Sequence, residues 1–249
     1  MTPASAPYPS LPVLNCDLGE GEPETVTGEL MALIGAANIA CGGHAGTDAS
    51  MRHALASAHR HRVLAGAHPG LKSAFGRSAV TPPTPLELQV LLIDQITRLA
   101  MLAREVGVPL HHVKLHGALY HQVDASSDLR TSYLATLQAN FPPLAVFARC
   151  GGACAREASQ RGMTVWEEAF LDRGYRPDGT LVQRGERGDL IVDPALVRER
   201  LESLIRHGGW PAVDGTWIPL APRTLCIHGD SPHALDLLHA AIGRRTPPG

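Results

Sequence analysis

The chain contains few aromatic residues and no long apolar segment. Phe, Trp and Tyr make up 4% of its 249 residues, whereas hydrophobic residues as a whole reach 44%. A large core is therefore expected, built mainly from Ala, Val, Leu and Ile. No stretch approaches about 20 consecutive apolar residues, and the N-terminus lacks the basic and apolar regions of a secretory signal. We therefore expect a protein that neither spans a membrane nor is secreted.

An excess of one charge and several common motifs are also absent. The formal net charge is −2, which gives no electrostatic indication of a nucleic-acid or membrane partner. The five cysteines form no CxxC pair, so a zinc ribbon is not expected and a reducing, cytoplasmic location is predicted. The sequence has no G-x-G-x-x-G, G-x-x-x-x-G-K-[ST] or G-x-S-x-G. Recognisable dinucleotide, ATP and serine-hydrolase motifs are thereby excluded.

Between two predicted flexible tails, 1–10 and 244–249, the sequence alternates short apolar runs with amphipathic segments. The runs occupy 12–20, 35–46, 62–70, 110–117, 143–152, 163–170 and 223–230. Seven strand–helix units with short connections predict a single α/β domain over 11–243, with a parallel sheet and right-handed crossovers. A closed or nearly closed barrel is favoured, because the alternative, a doubly wound open sheet, lacks its glycine fingerprint. Residues 171–193 interrupt the pattern and are predicted to form a functional loop or a β-hairpin. Separately, Asp124, Ser126 and Asp128 are assigned to loop and N-cap positions.

Polar residues follow the apolar runs at nearly every strand end. A single histidine or aspartate at such a position is more often a cap or a loop contact. The carboxyl ends of parallel barrel strands form one face, however, so these groups are predicted to converge there for acid–base and electrostatic catalysis. They are Asn15, Asp17, Glu20, Asn38, His44, His68, Lys114, His116, Glu168, Asp172, Arg173, His228 and Asp230.

The stretch "HHVKLHGALYH" from residue 111 to residue 121 has the composition of a metal site. Residues i and i+2 share one face of a strand, so His112, Lys114 and His116 are predicted to point into the barrel and its mouth. In the same way, Asn15 and Asp17 are predicted to share a face. The lysine would place a cation between two histidine ligands, which opposes a divalent metal there.

Several motifs together resemble the LamB/YcsF family, the A subunits of bacterial 5-oxoprolinases. They are "LNCDLGE", "ANIACGGHAG", "GAHPG…FGR", "HVKLHGALYH", "EEAFLDRGYRPDGTLVQR" and "CIHGDSP", and they occur in the family's order between about residues 12 and 240. The chain departs from the family pattern at Gly43, Thr47, Asp48, Leu115 and His121, and in a shortened 71–77 loop.

The resemblance implies a distorted seven-stranded β/α barrel of the glycoside hydrolase/deacetylase type. It also implies ATP-dependent opening of 5-oxo-L-proline to L-glutamate with two partner subunits, B and C. ATP, as co-substrate, would be bound largely by a partner. The expected catalytic residues are Asp17, Glu20, His44, His68, Lys114 and His116. The expected substrate-binding residues are Asn15, Asn38, Asp172, Arg173, His228 and Asp230.

Within that scheme, Asp17 is the expected base toward water, with Glu20 as relay. Lys114 and Arg173 would neutralise oxygen or phosphoryl charge, and His228 would be held by Asp230 or by Asp172. This scheme assigns no metal ligands, the metal dependence stays open, and there are two alternatives. One is a metal-dependent deacetylase or carbohydrate-acting hydrolase, with Asp17, His44 and His68 as ligands. The other is a substrate-binding subunit without catalysis.

Overall fold

A computed structural model describes residues 11–72 and 81–243 of the chain. The predicted tails, 1–10 and 244–249, and most of the shortened 71–77 loop lie outside the described residues. Seven parallel strands form a closed barrel in the order β1-β2-β3-β4-β5-β6-β9, as the sequence predicts. The barrel strands are β1 (Val13–Leu18), β2 (Ala36–Ala40), β3 (Leu64–His68), β4 (Leu110–Lys114), β5 (Ala145–Arg149), β6 (Val165–Phe170) and β9 (Thr224–Cys226).

Helices surround the barrel and cover its apolar outer face. They are α1 (Glu24–Met31), α2 (Asp48–His61), α3 (Pro85–Val106), α4 (Gly117–Ala125), α5 (Ser127–Asn140), α6 (Ala153–Gln160), α7 (Pro194–His207) and α8 (Ala234–Ile242). The boundaries of α3 follow from its sequence. Thr84 and Glu87 form a capping box, Pro85 occupies the first turn, and Gly107 ends the helix at φ +78°. Among the described residues, no helix is both long and apolar enough to cross a membrane.

Two elements depart from the predicted alternation. Helix α4 begins at Gly117, whose φ of +54° is typical of a turn, so its sequence did not indicate a helix. Asp124 therefore lies in α4 rather than in a loop, whereas Ser126 caps α5 as predicted. The second addition is a small antiparallel hairpin of β7 (Gly209–Pro211) and β8 (Trp217–Pro219). The 171–193 segment contains two isolated antiparallel bridges, in keeping with the predicted excursion.

Inside the barrel, polar and apolar side chains are arranged in layers. The floor consists of Ala36, Ala145, Phe147 and Trp166, and the ring of His112 stacks on Phe147 at 3.8 Å. A Cβ atom at Gly66 would lie 2.2 Å from His112 Nε2, so the glycine in β3 leaves the space that this imidazole fills. The polar residues of the candidate site therefore rest on a closed, packed floor.

Candidate active site

A buried lysine between two carboxylates forms the centre of the site. Lys114 Nζ lies 2.8 Å from Asp17 Oδ1 and 3.1 Å from Glu168 Oε1, and all three side chains are at most 4% exposed. Its other close neighbours are Cys226 Sγ at 3.1 Å and Asn15 Oδ1 at 3.5 Å. The predicted inward direction of Lys114 is thus what the structure shows, but the lysine charge is already matched inside the protein by Asp17 and Glu168.

An amide network beneath this cluster fixes the orientation of Asp17. Asn38 Nδ2 donates to Asp17 Oδ1 at 2.7 Å and to Asn15 Oδ1 at 2.8 Å. Asn15 Nδ2 donates to Glu168 Oε1 at 3.0 Å, and His112 Nε2 donates to Asn38 Oδ1 at 2.8 Å. Both asparagines have no exposed surface. The structure therefore places Asn15 and Asn38, predicted to bind substrate, below the Asp17 carboxylate, where they support it.

Three histidines and Glu20 form a second cluster beside Asp17. Glu20 Oε1 lies 2.8 Å from His44 Nε2, 3.0 Å from His116 Nδ1 and 3.5 Å from His68 Nε2. His68 Nδ1 donates to the carbonyl oxygen of Lys114 at 2.8 Å, so its Nε2 is turned toward Asp17 Oδ2 at 3.5 Å. The rings of His44 and His116 stack at 3.4 Å, nearly parallel. A continuous chain of proton-carrying groups thus leads from Asp17 to Glu20.

His116 reaches this cluster from outside the strand. β4 ends at Lys114, and His116 is the residue that precedes α4 in an extended conformation. The backbone N–H of His116 donates to the carbonyl oxygen of Pro69, which draws the β3 and β4 loops together. The i, i+2 alternation gave the correct direction, although it extended the strand by two residues.

Burial and the charges of neighbouring groups shift the pKa values of these side chains in opposite directions. Burial by itself would raise the pKa of the Asp17 carboxyl, but the charges of His68 and Lys114 outweigh it and hold this pKa well below its usual range. Burial likewise opposes the charged form of Lys114, yet Asp17 holds the lysine pKa well above its ordinary value. Burial lowers the pKa of His116 to about 4 despite its hydrogen bond to Glu20. The site therefore combines an ionised Asp17–Lys114 pair with a neutral His116.

A second acid–histidine pair lies after β6 and β9. Asp172 Oδ2 accepts hydrogen bonds from His228 Nδ1 at 2.9 Å and from the His228 backbone N–H at 3.0 Å. Of the two predicted partners of His228, the structure therefore selects Asp172. Arg173 is buried as well and donates to the carbonyl oxygens of Val182 at 2.7 Å and Asp189 at 2.9 Å.

These groups surround the inner end of one cavity of about 1240 Å³. Each of the seven barrel strands, or the loop that follows it, contributes to its wall. The predicted residues that line it are Asp17, Glu20, His44, His68, Lys114, His116, Arg173, His228 and Asp230. Its outer part is lined by residues that the sequence analysis did not assign to a site, including Tyr120, Asp124, Arg149, Arg156 and Arg184.

Comparison with known proteins identifies the family. The family model described as "LamB/YcsF family" matches residues 13–245. The chain belongs to the LamB/YcsF family. It is 38% identical over 229 residues to the 5-oxoprolinase A subunit of Pyrococcus abyssi (strain GE5 / Orsay), covering 90% of this chain and 89% of that protein. The crystal structure of "Lactam Utilization Protein" from Thermus thermophilus has a TM-score of 0.84 and 31% identity, covering 94% of this chain and 97% of that one.

In this LamB/YcsF chain, one central residue was overlooked as a site residue. Glu168 is among the polar strand ends predicted to converge but belongs to neither the expected catalytic nor the expected substrate-binding set, and in the structure it is the second carboxylate partner of Lys114. Trp166 and Glu168 are two apart in β6, so alternation places both inside the barrel. That same rule, applied to β6, would have indicated its position.

Among the described residues of the LamB/YcsF site, two groups of side chains have donor atoms close enough for a metal ion. One comprises Glu20, His44, His68 and His116, and the other comprises Asp17, Cys226 and His228. The predicted alternative set of Asp17, His44 and His68 is thus divided between them. In the first group, His44 Nε2 and His116 Nδ1 both contact Glu20 Oε1, and their rings stack nearly parallel at 3.4 Å. In the second, the ammonium of Lys114 contacts both Asp17 and Cys226.

Proposed function

We propose that this chain is the A subunit of an ATP-dependent 5-oxoprolinase. With partner subunits B and C it would hydrolyse the lactam of 5-oxo-L-proline to L-glutamate, with ATP as co-substrate. The observation that carries the proposal is the Asp17–Lys114 pair at the inner end of a large cavity, in a chain 38% identical to a protein named as the A subunit of 5-oxoprolinase. All five cysteines, which lie in the described ranges, are free, which supports the further proposal of a cytoplasmic location.

The chemistry explains why a carboxylate and several histidines are needed. A lactam is a stable amide, and phosphorylation of its oxygen by ATP would make the ring carbon electrophilic and supply a leaving group. Water must then be deprotonated as it attacks that carbon, and the ring C–N bond must break as the nitrogen takes up a proton, which leaves an acyl phosphate. A second water would release glutamate and inorganic phosphate from that acyl phosphate. Asp17 suits the deprotonation of the first water, because Oδ1 is held by Lys114 and Asn38 while Oδ2 is directed toward His68.

The proton can then pass along the histidine cluster. His68 Nε2 lies between Asp17 and Glu20, at 3.5 Å from an oxygen of each, and His116 Nδ1 lies 3.2 Å from the same nitrogen. We assign Glu20 to the relay and His44 to the orientation of Glu20. Lys114 contacts two carboxylates, so we now assign it to holding Asp17, and leave charge neutralisation on the substrate to Arg173.

The substitution Asp17→Asn tests this assignment. It keeps the size of the side chain but removes the base, so glutamate formation by the complex reconstituted with subunits B and C should be lost. The matched control is Asp94→Asn, on the exposed side of α3. Assays of this chain alone, of the partners alone and of all three locate the activity. Retained turnover in a folded Asp17→Asn complex would contradict the assigned role.

A further inference from the structure

The cavity is much larger than the proposed lactam requires. Cavities of about 300–1,000 Å³ hold drug-sized ligands, and this one measures about 1240 Å³. A five-membered lactam with one carboxylate would occupy the inner end, next to Asp17 and His68. The outer part therefore has room for a second ligand.

Arginines dominate the charge of that outer part. Among the described residues four arginines line the cavity, against two acids beyond the inner cluster, Asp124 and Asp230, and we call Arg149, Arg156, Arg173 and Arg184 the arginine wall. Arg173 is buried and also belongs to the groups around the inner end. Arginine is well suited to binding phosphate, because its planar guanidinium can donate two parallel hydrogen bonds to phosphate oxygens. The acidic groups of the inner end are already matched, since Asp17 pairs with Lys114 and Glu20 contacts three histidines.

The arginine wall is organised around one extended segment. Arg149 Nη1 donates to the carbonyl oxygen of Gly179 at 3.2 Å, and Arg173 Nη2 donates to that of Val182 at 2.7 Å. Both guanidinium groups are therefore anchored on residues 179–182, and Arg184 follows two residues later. Side chains fixed in this way lose little conformational entropy when they bind an anion.

The start of α4 adds a favourable electrostatic contribution. Gly117 and Ala118, its first residues, line the cavity. Within the described chain no side chain caps this helix end. The positive end of the helix dipole favours an anion there.

We propose that the arginine wall binds the phosphate groups of a polyphosphate, so that both substrates share the cavity of this chain. That the polyphosphate is ATP rests on the proposed function. The binding of phosphate by the arginine wall does not rest on the proposed function. This assignment differs from the expectation that ATP is bound largely by a partner, because the phosphate groups would reach into this subunit.

Titration calorimetry of the full chain with inorganic tripolyphosphate tests the proposal. Arg156 is exposed, so Arg156→Gln should leave the fold intact while weakening binding roughly 3- to 10-fold, as expected for loss of a charge-assisted contact. Arg149→Gln should weaken it roughly 10-fold or more. The matched control, Arg52→Gln, removes an exposed arginine of α2 that pairs with Glu105, and should not change the affinity.

A variant with the opposite expected effect excludes a merely structural role. Asp124 pairs with Arg149 at 2.8 Å and competes with an anion for it. Asp124→Asn removes that competing charge while keeping an oxygen for the Cys154 backbone N–H, so it should bind tripolyphosphate more tightly than wild type. Raising the salt concentration should weaken binding by wild type more than by Arg156→Gln.

The outcomes separate this inference from the proposed function. The inference is overturned if folded wild-type chain binds no tripolyphosphate at millimolar concentration, or if the Arg149 and Arg156 variants bind as the Arg52 variant does. If the reconstituted complex forms no glutamate while the wild-type chain binds tripolyphosphate through these arginines, the proposed function fails and the phosphate site stands. If both hold, the variants should also raise the KM for ATP of the complex.

Discussion

Replacing Lys114 by Met would remove the cation that two buried carboxylates share. At 2.8 and 3.1 Å, Coulomb's law with an effective dielectric constant of about 20 gives attractions of about 6 and 5 kcal/mol. Most of this offsets the cost of burying the charges, and removal of one partner of a buried pair typically costs about 3–5 kcal/mol. We therefore expect Lys114→Met to lower the free energy of unfolding at pH 7 by about 3–5 kcal/mol.

The double variant Lys114→Met/Glu168→Gln provides the internal test. Glu168 has no exposed surface, so in the single variant its charge would be left beside Asp17 without a cation. Removing that charge should recover part of the loss, about 1–3 kcal/mol, and make the two substitutions clearly non-additive. Lys114 helps to hold the pKa of Asp17 below its usual range, so without it this pKa would rise and the loss should become smaller as the pH is lowered toward about 5.

Urea unfolding followed by circular dichroism measures these differences. The single variant Glu168→Gln serves as the reference, because it leaves one cation facing one carboxylate. The reasoning is refuted if Lys114→Met lies within about 1 kcal/mol of wild type. It is also refuted if the double variant is no more stable than Lys114→Met alone, because the unpaired Glu168 charge would then not be the cause.

Three further predictions concern the barrel, the second acid–histidine pair and metal content. Gly66→Ala would place a Cβ 2.2 Å from a ring nitrogen inside the barrel and should cost about 1–3 kcal/mol in urea unfolding, whereas Gly28→Ala, with nothing within 4 Å, should not destabilise. Burial would raise the pKa of Asp172, but His228 outweighs burial and lowers this pKa. The stability that Asp172 contributes is therefore present above an unfolded pKa of about 3.9 and is lost as the pH falls through the folded value. Asp172→Asn should be less stable than wild type at pH 7, with the stability difference closing below about pH 4; a difference that does not change with pH would argue against the pair. Elemental analysis of the purified chain should find far less than one transition metal ion per chain. Turnover of the reconstituted complex after chelation should return with Mg²⁺ and ATP alone, and a requirement for added Zn²⁺ would contradict this.

The sequence by itself determined the architecture and the direction of the central side chains. Alternation of apolar runs with amphipathic segments was enough to predict seven parallel strands, because helix and strand periodicities are local properties of the chain. The same locality explains why His112 and Lys114 could be assigned to the inside of the barrel, and why Asn15 and Asp17 could be assigned to one face of their strand. Helix α4 escaped prediction because the glycine at its start, Gly117, has the conformation of a turn.

Only the tertiary structure decided which groups meet. Lys114 on β4 contacts Glu168 on β6 and Cys226 on β9, and neither of these strands is adjacent to β4 in the barrel. Such contacts depend on the height of each residue along the barrel axis, which is set by closure and register. His228 accordingly pairs with Asp172, fifty-six residues away, as the sequence analysis could propose but not select. Closure of the barrel also produced the arginine-lined outer cavity, because arginines remote in sequence come together only when the loops after β5 and β6 fold over the same mouth.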